Sequence, residues 1–404
     1  MEIAPFELER WFDEHEHDAE LMLAESGIRS LPASRFDLDP GEVGYVIPTD
    51  GDPAFRADVA ARYDRGADEI AFTCGTQEAN FLTVLALLSE PAPPTPSEHA
   101  GDSGSSGDNT THLGGETHTD DDDDTASTRP DGNRPGSGTH AVVVTPTYQA
   151  LHSVPDAVGE VTRVSLDPPE WKLDVDAVAA AVRGDTAVIV LNNPNNPTGR
   201  YHPVDRVREL YDLAAEHDAY LLCDEVYRLL ADDPLPPVAS MGAHGISTTS
   251  LTKAYGLAGT RFGWVTGPRP VIEAAVRWKD YTTISPPLFG QHVARQALGE
   301  QETAILETNR ELAREHHDIV ARWIDDHDLD WHDPVGVNAF PTVPDPFESS
   351  RAFCRTVVEE ASVVLAPGDA FGFDDYFRLG FGHETAQLRE GLSRVGEVIE
   401  RHRA

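Results

Sequence analysis

Three apolar runs, each broken off by a polar motif, constrain this chain most. Ala141-Val-Val-Val-Thr-Pro-Thr-Tyr148 ends in an aromatic residue. Thr186-Ala-Val-Ile-Val-Leu191 runs into Asn192-Asn-Pro-Asn-Asn-Pro-Thr-Gly199, and Ala219-Tyr-Leu-Leu-Cys223 runs into Asp224-Glu-Val-Tyr227. Short β-branched runs without alternation read as strands buried on both faces. Helical patterns fall between them, over Val175 to Val182 and about Val204 to His217. Further strands are expected at Glu69 to Thr73, Val161 to Leu166, Ile246 to Ser250 and Arg261 to Thr266. Strands alternating with helices, with polar residues just past the strand ends, predict an α/β sheet whose site lies at those termini.

The rest of the chain is arranged around that sheet. Residues 6–25 carry an amphipathic pattern of Phe6, Leu8, Trp11, Phe12, Leu21 and Leu23, which predicts one helix. His15 and His17 are two apart and read as surface residues. Ser26 to Ser30 breaks the helix, and Gly41 to Gly51 is a turn-rich connector containing Tyr45. Pro53 to Tyr63 is expected to be a helix, with proline in its first turn. After Thr73 comes Cys74-Gly75-Thr76-Gln77-Glu78-Ala79-Asn80 and then an apolar helix. A strand, a glycine turn and a helix start leave backbone N–H groups free for an anion. Residues 91–139 are rich in proline, glycine, serine, threonine and aspartate, a composition too polar to offset its ordering entropy, and read as a disordered acidic insertion. Its His99, His112 and His118 read as part of a solvated loop, and no metal site is expected. A helix begins near Pro270 and a longer one spans about Glu302 to His327. Beyond it, Val335 to Val343, a helix around Ser349 to Glu360, Val363 to Ala366, Tyr376 to Gly380 and a last helix over Glu384 to Arg401 describe a small α+β unit.

The formal charge is −39, from 70 acidic and 31 basic residues. Such a surface repels nucleic acid and anionic membranes. Heavy acidity with few lysines resembles the proteins of salt-loving organisms, so poor folding in dilute salt is expected. Cys74, Cys223 and Cys354 form no paired motif, which fits a reducing cytoplasm. The N-terminus has no signal-peptide pattern, and no apolar run is long enough to cross a bilayer.

Only three of the 31 basic residues are lysines: Lys172, Lys253 and Lys279. Lys253 sits in Ser250-Leu-Thr-Lys253-Ala-Tyr-Gly-Leu-Ala-Gly-Thr-Arg261, a loop of small residues where a cation adds little to folding. An amine can form a Schiff base with an aldehyde, and a guanidinium cannot. Carbanion chemistry on such an adduct is best served by a pyridinium ring whose nitrogen stays protonated. Asp224, at a strand end, is suited to hold that proton. Asn196 and Tyr227 can donate to a ring oxygen, and Tyr148 can stack on a ring face. Gly75, Thr76, Gln77, Ser250 and Arg261 supply the donors a phosphate needs. Arg378 offers a planar fork for a carboxylate.

Asn196-Pro-Thr-Gly199, Asp224-x-x-Tyr227, Ser250-x-x-Lys253 with Arg261, and Phe377-Arg378-Leu-Gly380 resemble the signature of class I/II aminotransferases, the fold type I pyridoxal-phosphate enzymes. The resemblance covers nearly the whole chain outside 91–139. It implies a large domain, 45–301, with a mostly parallel seven-stranded sheet flanked by helices. A small α+β domain, 302–404, would be joined by an N-terminal segment, 1–44, packing on it. It further implies pyridoxal 5'-phosphate held by Lys253, with Lys253 also moving the substrate proton, Asp224 on the pyridine nitrogen, Asn196 and Tyr227 on the ring oxygen, and Arg378 on the substrate carboxylate. The substrates would be an amino acid and a 2-oxo acid. Tyr45 occupies the place of a family tyrosine that reaches the neighbouring subunit's phosphate, which implies a homodimer with shared active sites.

Three other readings compete. Ser250-x-x-Lys253 also matches a serine–lysine acyl-transfer pair, but the chain lacks the Ser-Asp-Asn and Lys-Thr-Gly partners. Pro5-Phe-Glu-Leu-Glu-Arg-Trp-Phe12 looks like a subgroup near capreomycidine synthase, which implies a lyase, cyclase or replacement enzyme on the same fold. A catalytically silent binding protein would not need Lys253 and Asp224. Ser26 to Arg29 and Tyr281 to Ser285 are candidates for the substrate side-chain pocket. No second arginine marks a dicarboxylate clamp.

Overall fold

A computed structural model describes residues 2–89 and 139–404; the insertion expected over 91–139 lies outside the described residues, except for Thr139. The apolar runs form one seven-stranded sheet. Its spatial order is Ile70–Thr73, Gly263–Thr266, Gly245–Ser250, Tyr220–Asp224, Thr186–Asn192, His140–Thr145 and Glu160–Ser165. Gly263–Thr266 runs antiparallel to both neighbours, and the other adjacent pairs are parallel. Every residue of Thr186–Asn192 and of Tyr220–Asp224 is buried, as expected of central strands covered on both faces. The helix Gly75–Leu88 is apolar almost all round and packs between the sheet and the helices Ala150–Val158 and Arg269–Lys279. Neither Ala150–Val158 nor Leu288–Ala297 was legible as a helix in the sequence.

Register brings the polar strand ends together. Asn192 lies opposite Asp224, Asp224 opposite Thr248, and Ser250 opposite Gly263. Parallel strands with short connections deliver their C-terminal residues to one edge, so the motifs that follow them converge there.

The C-terminal part carries a three-stranded antiparallel sheet of Ala366–Pro367, Phe377–Gly380 and Asn338–Ala339. Asn338–Ala339 is all that becomes strand in the extended stretch expected over Val335 to Val343. The helix Glu302–Asp326 ties the two parts together. Asn309 Nδ2 donates to the Ala254 carbonyl at 2.8 Å, and Trp323 Nε1 donates to the Leu392 carbonyl at 2.9 Å.

The N-terminal segment differs from its expected form. Its helix is Glu7–His15 only, and Leu21–Met22 is a strand paired in parallel with Val363–Val364. The N–H groups of Glu20 and Leu21 bond the Ser362 carbonyl at 3.0 and 3.1 Å. Pairing with a distant strand edge overrides the local helical pattern there. His15 is not a surface residue: its ring packs edge-on against Trp11 at 4.1 Å, four residues earlier and one helical turn away, with only 12% of its side chain exposed. His17 stands in solvent, as expected.

Candidate active site

A cavity of about 320 Å³ opens at the strand ends. Thr76, Gln77, Tyr148, Asn196, Asp224, Tyr227, Ser250, Lys253, Arg261 and Arg378 all line it. Residues spread over some 300 positions of sequence therefore meet in one space.

At one end the helix Gly75–Leu88 begins. Gly75 has φ +80°, a left-handed conformation that favours glycine. A Cβ on Gly75 would stand 2.9 Å from Arg261 Nη2, so the missing side chain is what lets the Arg261 guanidinium lie against the turn. Thr76 Oγ1 is buried with no hydrogen-bond partner, and the buried Ser250 Oγ accepts only a long bond from Thr252 N, at 3.3 Å. A helix N-terminus, two hydroxyls and one guanidinium form a donor set suited to a phosphate.

At the other end Asp224 is held by two donors. Asn80 Nδ2 donates to Oδ2 at 2.8 Å and Val226 N donates to Oδ1 at 3.1 Å. The Thr248 hydroxyl donates in turn to Asn80 Oδ1 at 2.6 Å. Burial raises the Asp224 carboxyl to about 6, opposed by Asn80, by the Val226 N–H and by the charge of Lys253. A half-satisfied carboxylate in a dry site is suited to a ligand nitrogen that carries a proton. Both ends fit pyridoxal phosphate: an unpartnered hydroxyl and a guanidinium-backed glycine turn for the phosphate, and a buried acid for the ring nitrogen.

Between these ends lies Lys253, whose Nζ donates to Ser26 Oγ at 2.8 Å. Tyr148 and Tyr227 also line this middle part, and Tyr148 packs on Phe6 with ring centroids 5.1 Å apart. Desolvation holds the Tyr148 phenol well above its ordinary value.

Arg378 is 2% exposed. Its Nη1 donates to Asn196 Oδ1 at 2.9 Å and its Nη2 to the Ala24 carbonyl at 2.7 Å, while Nε is buried without a partner. The guanidinium also lies over the Phe371 ring at 5.2 Å. Burial lowers its proton affinity, though a guanidinium remains charged. Asn196 is fixed by its own backbone, whose N–H donates to Asn192 Oδ1 at 2.7 Å.

Tyr45 is not part of the cavity: it is 89% exposed. Tyr281 is 87% exposed, and Tyr281 to Ser285 line no part of the cavity. Ser26 lines it, whereas Gly27, Ile28 and Arg29 line an adjoining cavity that also reaches Lys253. The sequence reading missed Asn80, which bonds the Asp224 carboxylate, Thr248, which holds Asn80, and Asn192, which bonds Asn196 and the Asp224 carbonyl. A polar residue within the apolar helix that follows Gly75 was the available signal for Asn80. It also missed that Leu8, Glu9, Phe12 and Glu16 of the N-terminal segment form a wall of the cavity. Among the described residues no cluster of side chains could hold a metal ion, and no helix is long and apolar enough to cross a membrane.

Comparison with known proteins agrees with this geometry. The profile of the family described as aminotransferase class I and II matches residues 135–395. The chain is 30% identical to aromatic-amino-acid aminotransferase 2 of Thermococcus litoralis, over 57% of this chain and 62% of that one. It is 31% identical to capreomycidine synthase of Streptomyces vinaceus, over 65% of this chain and 68% of the relative. The chain thus spans a little under two thirds of the first relative's length. A crystal structure of a PLP-dependent aminotransferase from Streptococcus suis superposes with a TM-score of 0.82 at 27% identity, covering 100% of this chain and 99% of that one. The fold, the converging motifs and the family match together make this chain a member of the class I and II aminotransferases, with pyridoxal phosphate as cofactor.

Proposed function

We propose that the protein moves an amino group between an L-amino acid and a 2-oxo acid. The observation that carries this reading is that Lys253, Asp224 and Arg378 line one cavity, with the phosphate-type donors at its far end. Bound pyridoxal phosphate supplies an aldehyde that condenses with amines and a ring that draws electrons from the adjacent carbon. The chain's residues divide the remaining tasks. Gly75, Thr76, Gln77, Ser250 and Arg261 would hold the phosphate. Asp224, kept in place by Asn80 and Val226, would pair with the ring nitrogen. Asn196 and Tyr227 would donate to the ring oxygen, and Tyr148 would stack on the ring. Lys253 Nζ would be the attachment point and would carry the substrate's proton, with Ser26 Oγ orienting the amine. Arg378 takes the substrate carboxylate in exchange for part of its present bonding to Asn196 and Ala24.

The purified protein should absorb visible light, and borohydride should abolish that absorbance. Lys253→Ala should lose the attachment and fall by at least about 10³-fold in rate, as expected when an essential proton carrier is removed. Transfer of nitrogen from donor to 2-oxoglutarate supports the reading. Ammonia release or a cyclised product without transfer would favour a non-transaminating enzyme, the reading to which the similarity with capreomycidine synthase lends support.

The same proposal extends to assembly and setting. Val43, Tyr45, Ile47, Tyr281, Ile284 and Phe289 are large apolar side chains left exposed by the single chain, which supports a homodimer in which Tyr45 serves the partner's site. Division into 1–44, 45–301 and 302–404 is supported by the separate sheets and by the pairing of Leu21–Met22 with Val363–Val364. Three free cysteines, two of them buried, and the −39 charge support a reducing, salt-rich cytoplasm.

A further inference from the structure

One charge stands against the anion that the glycine turn is built to receive. Glu78 lies in the first turn of the helix Gly75–Leu88, one residue beyond Thr76 and Gln77, which line the phosphate end of the cavity. By itself a carboxylate there suits the helix dipole, and its Oε2 accepts the Cys74 N–H at 2.5 Å. A phosphate brought to the same helix end meets that carboxylate as a like charge. Arg261, lying against Gly75, is a cation on the phosphate side of the turn.

A second cation reaches Glu78 from outside the cavity. Lys279 ends the helix Arg269–Lys279 and is 2% exposed, the only buried one of the three lysines. Its Nζ donates to Thr283 Oγ1 at 2.5 Å, and the Thr283 hydroxyl donates to Glu78 Oε1 at 2.7 Å. A hydroxyl has one hydrogen and two lone pairs, so it can accept from the ammonium and donate to the carboxylate at once. Thr282 Oγ1 stands 3.0 Å from the same carboxylate oxygen. The segment carrying both threonines is folded back on the helix end. The N–H groups of Thr282 and Ile284 each reach the Lys279 carbonyl at 3.0 Å, with Ile284 at φ +63°, an uncommon conformation for a β-branched residue.

Neither Glu78 nor Lys279 lines the cavity. A cation that served only the helix C-terminus could stay in solvent, as Arg277 does two residues earlier. Burial lowers the proton affinity of Lys279, and the charges of Glu78 first, then Cys74 and Asp280, act against that.

We propose that Lys279 is a positioning residue for the cofactor phosphate: joined to Glu78 through Thr283, it neutralises that carboxylate and keeps it turned to the Cys74 N–H, so that the phosphate meets the donors of the turn without a like charge opposing it. This rests on the reading of Gly75, Thr76, Gln77, Ser250 and Arg261 as the phosphate site.

The test uses the full chain stripped of cofactor, at the lowest salt in which it stays folded, so that screening does not mask the effect. Pyridoxal phosphate and pyridoxal, which lacks the phosphate, are titrated into the wild type, Lys279→Met, Glu78→Gln and the double variant. Lys279→Met should weaken pyridoxal phosphate roughly fivefold to tenfold and pyridoxal by less than about twofold, since only the former carries the charge that Glu78 repels. Adding Glu78→Gln should restore the wild-type ratio of the two affinities, because glutamine keeps an acceptor for the Cys74 N–H and removes the charge. Equal weakening of both ligands, or no recovery in the double variant, overturns the proposal: a packing defect does not distinguish the ligands. If Lys279→Met fails to fold, Glu78→Gln alone decides. Lys279 then stands uncompensated, and pyridoxal phosphate should bind roughly fivefold more tightly with pyridoxal unchanged; an unchanged ratio refutes the proposal. Arg261→Ala tests the phosphate site separately. If it weakens both ligands alike, the phosphate reading fails and the proposal with it. If it weakens only pyridoxal phosphate while Lys279→Met does not discriminate, the proposal alone fails.

Discussion

Burial pushes the Asp224 carboxyl up to about 6, while Asn80, the Val226 N–H and the charge of Lys253 pull it down. The folded cofactor-free protein therefore holds this proton more tightly than the unfolded chain does. Asp224 contributes most to stability below the ordinary value of 3.8, and that contribution is lost as pH rises through about 6. The loss amounts to roughly 3 kcal/mol for a fully buried group. We expect the stability difference between the cofactor-free wild type and Asp224→Asn to shift by about 2 kcal/mol, most of that amount, against the wild type between pH 4 and 6.5. A difference that does not change with pH would show that burial leaves this carboxyl untouched. Asn80→Ala removes one of Asp224's two donors and leaves the buried Thr248 hydroxyl without its acceptor. It should cost about 1–3 kcal/mol in denaturant unfolding and weaken cofactor retention. Gly75→Ala adds a Cβ 2.9 Å from Arg261 Nη2 at a residue with φ +80°. The backbone penalty alone is about 1–2 kcal/mol, so pyridoxal phosphate should bind roughly tenfold more weakly when titrated into the apoprotein.

The helix Glu7–His15 connects what the sequence shows and what it does not. Its amphipathic pattern was legible, and its buried Leu8 and Trp11 were correctly placed on the inner side. The site strands were legible too, because each is a continuous apolar run ended by a motif whose chemistry is specific. The end of the helix at His15 was not legible, because it is set by Ser362, a partner more than 300 residues away. Asn80 was only half legible: a polar residue in an apolar helix marks it, but its partners Asp224 and Thr248 are set by how that helix packs on the sheet, which no local pattern encodes. Tyr45 was singled out by position, yet one chain leaves it in solvent. Trp11 holds the helix to the C-terminal part through its indole N–H, which donates to the Leu365 carbonyl at 2.8 Å. Across the cavity, Gln149 takes the Glu7 N–H at 2.8 Å and gives its amide to the Pro5 carbonyl at 2.7 Å. The helix is therefore anchored on both sides of the site it walls. Trp11→Ala should cost about 3–5 kcal/mol, expose the N-terminal segment to limited proteolysis, and raise KM more than it lowers kcat. Unchanged proteolysis and KM would mean that the helix is held by other contacts.

At the scale of the molecule two forces oppose each other. The proposed pairing of two copies would cover exposed apolar side chains such as Tyr45 and Tyr281, and a charge of −39 on each copy resists it. Salt changes the balance, because the screening length falls from about 10 Å at 0.1 M to about 3 Å at 1 M. At the shorter length, carboxylates on neighbouring surface elements cease to repel, while the contact pairs made by arginines, such as Arg65 with Glu69 at 2.6 Å, persist. Tm should therefore climb steadily with potassium chloride into the molar range. The monomer–dimer equilibrium followed by sedimentation should shift toward the dimer over the same range. Tyr45→Glu should prevent that shift while leaving the rise in Tm of the monomer. An uncharged osmolyte at matched osmolality separates screening from exclusion, since exclusion alone stabilises by strengthening apolar burial. If the osmolyte reproduces the whole rise, or if Tm is flat in salt, the acidic surface is not what sets the stability of this fold.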